Sequence, residues 1–256
     1  MSRKEVHEVL FGLLSALFVA IVSATIVSTA LPTIIGDLKG TQTQYTWVVT
    51  ASLLTMTVSG PLWSKLSDLY DKKLLVQTSI IIFLVGSLAA GLVDSVPQLL
   101  AARAVQGLGM GGLVALSQSI IGTIIAPRER GRYSGWIAAT MAVATVSGPV
   151  LGGVIVDLWG WRWCFFATIP FSLFALGMLQ KFLHLHHVSR RVRIDWFGAV
   201  FISIAASLPM IWVSFVGDSY DWISVETGYF ALGTLAALIA LVLIERRHAE
   251  PLVPPH

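Results

Sequence analysis

Long apolar segments alternate with short polar connections along the whole chain. Eight segments approach the roughly 20 mostly apolar residues that a helix needs to cross a bilayer. They cover residues 9–31, 46–66, 74–93, 98–125, 133–156, 163–183, 196–216 and 227–244. The connections between them hold nearly all of the charged residues. The pattern predicts an all-α membrane protein with eight spanning helices.

Composition favours a membrane protein over a soluble one. The 256 residues are 55% hydrophobic and only 12% charged, whereas a soluble domain carries roughly 25% charged residues. The single cysteine, Cys164, excludes an internal disulfide and a cysteine-built metal site, and we expect no metal and no cofactor. The net charge of +3 reflects charges gathered in loops, which argues against a nucleic-acid partner.

Lysine and arginine set the predicted orientation. With the N-terminus placed in the cytoplasm, fourteen of the 17 Lys and Arg residues fall in cytoplasmic segments. The outer loops hold only Lys39 and Arg162. The positive-inside rule therefore predicts a multi-pass topology in which both termini are cytoplasmic.

The remaining cation, Arg103, lies inside the fourth apolar segment. A charge there is unfavourable by about 3 kcal/mol on insertion scales, and such residues usually face a bundle interior or a water-filled cavity. The alternative is that Arg103 lies near the outer end and extends toward the headgroups. Gln106 and a run of glycines follow, and small residues of this kind let helices approach closely.

Two more segments combine polar or small residues at helix ends and helix faces. The connection after the second span, residues 64–73, places Asp68 ahead of Lys72 and Lys73. The fifth span contains Gly-Pro-Val-Leu-Gly-Gly over residues 148–153. A proline there kinks the helix, and glycines four residues apart make a face for close packing. Considered separately, the first segment is an ordinary solvated loop and the second is an ordinary packing helix.

Together and in this order, the three segments resemble the major facilitator superfamily. The 64–73 connection resembles its signature between helices 2 and 3, the Arg103 segment its helix 4 signature, and residues 148–153 the antiporter signature of helix 5. Further segments are similar to the fourteen-helix drug:proton antiporter branch of that family: residues 25–32, 127–132, 161–163 and 195–198. The resemblance covers essentially the whole chain.

The resemblance implies three groups of functional residues, none of them catalytic. The first forms a cytoplasmic gate against the opposite half of a transporter: Asp68, Lys72, Lys73 and Arg130. The second lies on the proton and substrate pathway: Arg103, Gln106, Ser23 and Thr25. The third shapes helix 5 against its partner in the opposite half: Gly148, Pro149, Gly152 and Gly153.

The implied function is transmembrane transport, namely proton-coupled export of drug-like or amphipathic compounds by alternating access. The implied partners are membrane lipid, the proton gradient and a small amphipathic substrate. The implied location is the bacterial plasma membrane. Residues 1–187 would form an N-terminal six-helix bundle, and residues 188–256 two additional spanning helices with a cytoplasmic tail.

The sequence departs from the family pattern in its acids and glycines. Relatives commonly carry an aspartate where this chain has Ser23, and no Asp or Glu lies inside a predicted span. A proton-coupled carrier needs a group that gains and loses charge, which arginine does not do at accessible pH. Ser64 and Asp71 replace two glycines of the gate connection, and Ala144 replaces one in helix 5.

Transporters of this fold enclose their substrate between two six-helix halves. We expect the second bundle to be missing from this chain and a complementary C-terminal half to be a partner. Two functions stay open: an exporter represented by an incomplete chain, or a non-transporting half-transporter fragment or partner subunit. No nucleophile–base arrangement or phosphate-binding loop indicates an enzyme.

Overall fold

The computed structural model describes residues 3–183, 196–217 and 220–245. This part of the chain contains nine helices and no strand. The helices are α1 (Arg3–Asp37), α2 (Gln42–Leu69), α3 (Lys72–Gly91), α4 (Val96–Ile124), α5 (Arg130–Trp159), α6 (Arg162–Phe166), α7 (Thr168–Phe182), α8 (Trp196–Phe215) and α9 (Val225–Glu245). The predicted all-α fold is confirmed.

Six spans are both long enough and apolar enough to cross a membrane: α1, α3, α4, α5, α9, and α6 with α7 taken together. The 28-residue α2 matches the second predicted span, but its many Thr, Ser and Gln residues make it less apolar. In α8 the described apolar stretch is the shorter Val200–Phe215. Each of the eight predicted spans therefore corresponds to helical structure; α2 is less apolar than the six, and the described apolar stretch of α8 is shorter than they are.

The sixth predicted span is divided at Ala167 into α6 and α7. Pro170 lies one turn beyond this break. Proline has no backbone N–H to donate to the carbonyl four residues earlier, and its ring clashes with that carbonyl. The acceptor left without its usual partner belongs to Phe166, the last residue of α6, so the proline explains why the helix is interrupted there.

The helices pack as two triplets that meet at α1 and α4. In one triplet α4 packs on α2 and α3, and in the other α1 packs on α5 and α7. Contacts between α1 and α4, and of α3 with α6 and α7, join the triplets. Helix α8 packs on α2, and α9 packs chiefly on α8. The additional pair therefore flanks the first triplet.

Buried apolar side chains form two separate clusters along the helix axes. One, toward the cytoplasmic end of the predicted topology, includes Leu13, Phe83 and Leu116. The other, toward the outer end, includes Leu31 and Phe165. A layer of buried polar residues separates them. The outward faces carry exposed apolar side chains, which suits lipid as the surrounding solvent.

Close approach of α5 to α1 depends on two glycines of α5. A Cβ on Gly148 would lie 2.5 Å from the Cβ of Thr25, and one on Gly152 would lie 3.0 Å from the carbonyl oxygen of Ile26. Gly153 has no neighbouring heavy atom within 4 Å of the same position. The glycine face thus packs α5 against α1 of the same bundle.

Some sequence predictions lie outside the described residues. These are the division between residues 187 and 188, most of the connection after α7, and the tail that follows Glu245. Five of the cations that the sequence predicts to be cytoplasmic fall in those segments: Arg190, Arg191, Arg193, Arg246 and Arg247.

We predict that Gly148→Leu destabilises the bundle and that Gly153→Leu does not. Both changes add the same side chain to the same helix, but only the first forces it into Thr25. Overpacking of this kind lowers stability by about 1–3 kcal/mol. Thermal unfolding in detergent, followed by circular dichroism, measures the difference. Equal melting temperatures for the two variants would contradict the predicted packing of α5 on α1.

Candidate functional site

A hydrogen-bonded network surrounds Arg103 inside the bundle. Its side chain is 2% exposed. The guanidinium donates from Nη1 to Oε1 of Gln106, from Nη2 to Oγ of Ser52 at 2.6 Å, and from Nε to the carbonyl of Val48 at 3.5 Å. The cation therefore faces the bundle interior and does not extend to the headgroups.

Gln106 extends the network to two more helices. Its Nε2 donates to Oγ of Ser23 on α1 at 3.1 Å and to Oγ of Ser87 on α3 at 2.8 Å. Gln106, Ser23 and Ser87 are all fully buried. The Gln106 amide thus accepts a hydrogen bond from Arg103 on its own helix, α4, and donates to residues of α1 and α3. Ser52 connects the network to α2. We call Ser23, Ser52, Ser87, Arg103 and Gln106 the polar layer.

The polar layer contains no carboxylate. The ion pairs found in the described residues belong to Arg162, and none involves Arg103. The charge of Arg103 is instead met by an amide, a hydroxyl and a backbone carbonyl. Hydrogen bonds to a charged group are stronger than neutral ones, and they offset part of the energy needed to remove the ion from water.

Two helix glycines allow the layer to form. A Cβ on Gly107 would overlap the side chain of Thr55 and the carbonyl oxygen of Ser52. A Cβ on Gly86 would lie 2.5 Å from the backbone nitrogen of Gln106. These contacts bring α2 and α3 close to α4, so that short serine side chains reach Arg103 and Gln106.

Thr25, assigned to the same pathway from the sequence, lies outside this network. Its Oγ1 donates to the carbonyls of Ile21 and Val22 on its own helix, at 3.1 Å each. Its side chain packs against Gly148 of α5. Within the described structure, Thr25 contributes to the α1–α5 contact.

The four residues assigned to the gate lie at the helix ends that the predicted topology places in the cytoplasm, and no hydrogen bond or ion pair joins any two of them. Lys72 donates from Nζ to Oγ of Ser119 at 3.0 Å and to Oγ1 of Thr123 at 2.8 Å, which ties α3 to α4. Lys73 donates to the carbonyl of Gln180 on α7 at 2.7 Å. Arg130 donates to the carbonyl of Gly122 at 2.9 Å.

Asp68 differs from these cations because none of the described residues forms a hydrogen bond or ion pair with its carboxylate. It is exposed near the end of α2 and lines a cleft of about 490 Å³ between α2 and α4, together with Ser64 and Gln118. The carboxylate is therefore exposed at an open cleft, close enough to Lys72 for the two charges to interact.

Asp71 has a structural role that the sequence comparison did not suggest. Its backbone φ is −58°, so the position does not need the left-handed conformation that favours glycine. Its side chain accepts hydrogen bonds from the backbone N–H groups of Lys73 and Leu74. Aspartate in place of glycine therefore supplies a cap for α3.

The four residues of the helix 5 signature face two different directions. Gly148 and Gly152 face α1, as described above, whereas Pro149 is exposed and Gly153 has open space around it. The first pair packs the bundle internally. The second pair lies where no described helix covers it.

A cluster of charged residues at the outer end of the predicted topology was not identified from the sequence. Arg162 pairs with Asp94 at 2.9 Å and with Asp37 at 3.8 Å. Trp161 donates from Nε1 to Asp37 at 2.8 Å, and the Arg162 guanidinium lies 4.4 Å from the Trp161 ring centre. The signal was present in the sequence as two outer acids and one outer arginine. We call these four residues the outer clasp.

The helical fold and the buried polar layer define a multi-pass helical membrane protein with polar residues inside its bundle. The family model of the Major Facilitator Superfamily matches residues 13–246. The chain belongs to the major facilitator superfamily.

Its similar relatives are named as drug and efflux transporters. Multidrug resistance protein 3 of Bacillus subtilis (strain 168) is 31% identical over 245 residues, which are 96% of this chain and 48% of that protein. Efflux pump dotC of Dothistroma septosporum is 33% identical over 251 residues, 96% of this chain and 43% of that pump. The chain spans about half the length of the curated relatives it matches.

Solved structures agree on the fold. The human organic anion transporter MFSD10 (TETRAN) superimposes with a TM-score of 0.67 at 14% identity, covering 96% of this chain and 74% of that one. The proton:xylose symporter XylE gives a TM-score of 0.64 at 10% identity, over 96% of this chain and 54% of that one. At these identities the likeness establishes the fold alone.

We predict that Gln106→Leu destabilises the protein more than Arg103→Met/Gln106→Leu does. The single change leaves a buried cation without a main acceptor, which lowers stability by about 1.5–3 kcal/mol. The double change also removes the cation, so part of the loss is recovered. Thermal unfolding of wild type, both singles and the double variant gives the coupling. Additive losses would contradict the energetic link between these two residues.

Proposed function

We propose that this chain forms the N-terminal part of a proton-coupled exporter of drug-like or amphipathic compounds that works by alternating access. The observation that carries the proposal is the polar layer, in which the fully buried Arg103 bonds to groups of α2 and α4, and its partner Gln106 bonds to serines of α1 and α3. Ionisable residues inside a membrane bundle are unfavourable, and they characteristically mark ion or substrate pathways. The activity assigned is transport, with no enzymatic reaction.

The distribution of lysine and arginine bears on how the chain is oriented in the membrane. The charge distribution supports cytoplasmic termini. We infer a bacterial plasma membrane location. In this orientation Arg103 lies about two turns inside the outer end of α4, or about 10 Å along the helix. The polar layer then occupies the outer part of the bundle, and Asp68 lies at the cytoplasmic face.

Asp68 supports a gate between two halves. Its carboxylate is exposed and forms no hydrogen bond or ion pair among the described residues. It interacts electrostatically with the neighbouring Lys72, which two hydroxyls of α4 hold in place. We infer that a complementary C-terminal half supplies the group that meets Asp68 when the cytoplasmic side closes. Residues 1–187 would then be the N-terminal bundle, and residues 188–256 the additional pair and tail.

The substrate class rests on the relatives. Proteins named for multidrug resistance and efflux are 31–33% identical across nearly the whole chain. We infer a small amphipathic substrate that shares the pathway with protons. Since the chain spans about half of those relatives, a non-transporting half or partner subunit is the second candidate function.

A fusion experiment separates the two functions. This chain is expressed alone, and also joined to the remaining C-terminal part of Multidrug resistance protein 3, in cells loaded with a fluorescent lipophilic cation. We expect the fusion to export the dye and a protonophore to stop the export, while the chain alone matches empty cells. A correctly inserted fusion without export would reject the exporter and favour the second candidate.

Arg103→Met in that fusion is expected to reduce export at least tenfold, because it removes the charge from the pathway. Arg128→Gln is the matched control, since it removes an exposed loop cation with no partner among the described residues. Membrane abundance is measured for both. Equal export by the two variants would contradict the role given to Arg103.

Ser23→Asp tests how proton coupling is built. Oγ of Ser23 lies 3.1 Å from Nε2 of Gln106, so a carboxylate at this position joins the polar layer close to Arg103. We expect export by the changed fusion to fall at a lower protonophore concentration than export by the unchanged fusion, because the change adds a group that titrates. Ser23→Asn, similar in size but unable to titrate, is the control. The same gradient dependence in both variants would count against coupling through the layer.

A further inference from the structure

An apolar groove runs along the lipid-facing side of the second triplet. Its volume is about 800 Å³, α1 forms its floor and α5 and α7 form its walls. Its aromatic residues are Phe11, Phe18, Trp136, Phe171 and Phe174. The rings of Phe11 and Phe174 meet edge to face, with centroids 6.1 Å apart. The α8–α9 pair packs on the other triplet, so none of the described helices covers this groove.

The groove opens at one end into a polar mouth. The mouth has a volume of about 220 Å³, and its polar residues are His7, Arg132 and Tyr133. Phe11 and Trp136 line both the mouth and the groove, so the two spaces are continuous. One end of this surface is therefore cationic and the rest is apolar.

The guanidinium of Arg132 forms no hydrogen bond or ion pair with any of the described residues. His7 is exposed beside Tyr133, with ring centroids 6.3 Å apart. Glu5 and Glu8 are on the same helix as His7, but neither lines the mouth. The mouth thus presents positive charge without a lining acid.

The length of the surface matches one leaflet. From Arg132 to Val143, which lines the far part of the groove, α5 advances about 16 Å. Half of a hydrocarbon core about 30 Å thick is about 15 Å. In the proposed orientation, Arg132 lies at the cytoplasmic headgroup level and the groove ends near the bilayer centre.

We propose that this surface binds an anionic glycerophospholipid of the cytoplasmic leaflet. The phosphate lies against Arg132, His7 and Tyr133, and an acyl chain lies in the groove between α5 and α7. Basic pockets between helices on the cytoplasmic side suit anionic lipid headgroups. The site is separate from the polar layer, and its test does not depend on transport or on membrane orientation.

The test is native mass spectrometry of the full chain in neutral detergent, titrated with dioleoyl phosphatidylglycerol or dioleoyl phosphatidylcholine. The two lipids share acyl chains and differ in headgroup charge. We expect phosphatidylglycerol to bind more tightly, and Arg132→Gln to weaken its binding about fivefold, the effect of one cation near a lipid surface. Arg128→Gln, which removes a cation from the preceding loop, is expected to change the affinity less than twofold.

A second pair of variants tests the groove. Ala139 lines it, so Ala139→Trp fills space that an acyl chain would occupy and is expected to weaken binding of both lipids. Ala138→Trp places the same side chain on an exposed neighbouring position outside the lining and is expected to leave binding unchanged. Circular dichroism melting checks that all four variants are folded.

Three outcomes would overturn the proposal. One is a headgroup preference that survives Arg132→Gln or is lost equally in Arg128→Gln. Another is unchanged lipid binding in Ala139→Trp. The third is displacement of phosphatidylglycerol by a lipophilic cation at lower concentration, which would make the groove a route for substrate.

Discussion

A bilayer interior offers no water, so every polar group inside the bundle must find its partner in the protein. Arg103 imposes this constraint most strongly, because it is a buried cation without a carboxylate. Its hydrogen bonds reach α1 through Gln106 and Ser23, α2 through Ser52, and α3 through Gln106 and Ser87. The close helix contacts at Gly86 and Gly107 are what allow such short side chains to satisfy it.

The same constraint explains why the apolar core is divided. Leu13 and Phe83 belong to one cluster and Leu31 and Phe165 to another, and the polar layer lies between them. Apolar packing in a membrane is not driven by exclusion of water, since lipid tails are as apolar as the side chains. The layer's hydrogen bonds therefore supply specificity where the two clusters supply mainly shape complementarity.

The sequence predicted the number and order of helices because membrane thickness sets their length. It also identified Arg103 and Gln106, since a charge within an apolar segment is conspicuous. It could not place Thr25, whose hydroxyl bonds within its own helix, nor assign the capping role of Asp71. Those outcomes depend on backbone geometry and helix rotation. The outer clasp joins three segments distant in sequence, so its pairing required the tertiary structure.

The two charged regions respond differently to their surroundings. The clasp of Arg162 with Asp37 and Asp94 is exposed to solvent, where dissolved ions screen charges over about 10 Å at 0.1 M ionic strength. The polar layer is sealed from those ions. Rising ionic strength therefore weakens the outer clasp, where three chain segments meet, and leaves the hydrogen bonds of the polar layer unchanged. The strength of the outer clasp thus depends on the ionic strength of the medium, whereas the strength of the polar layer depends on packing inside the protein.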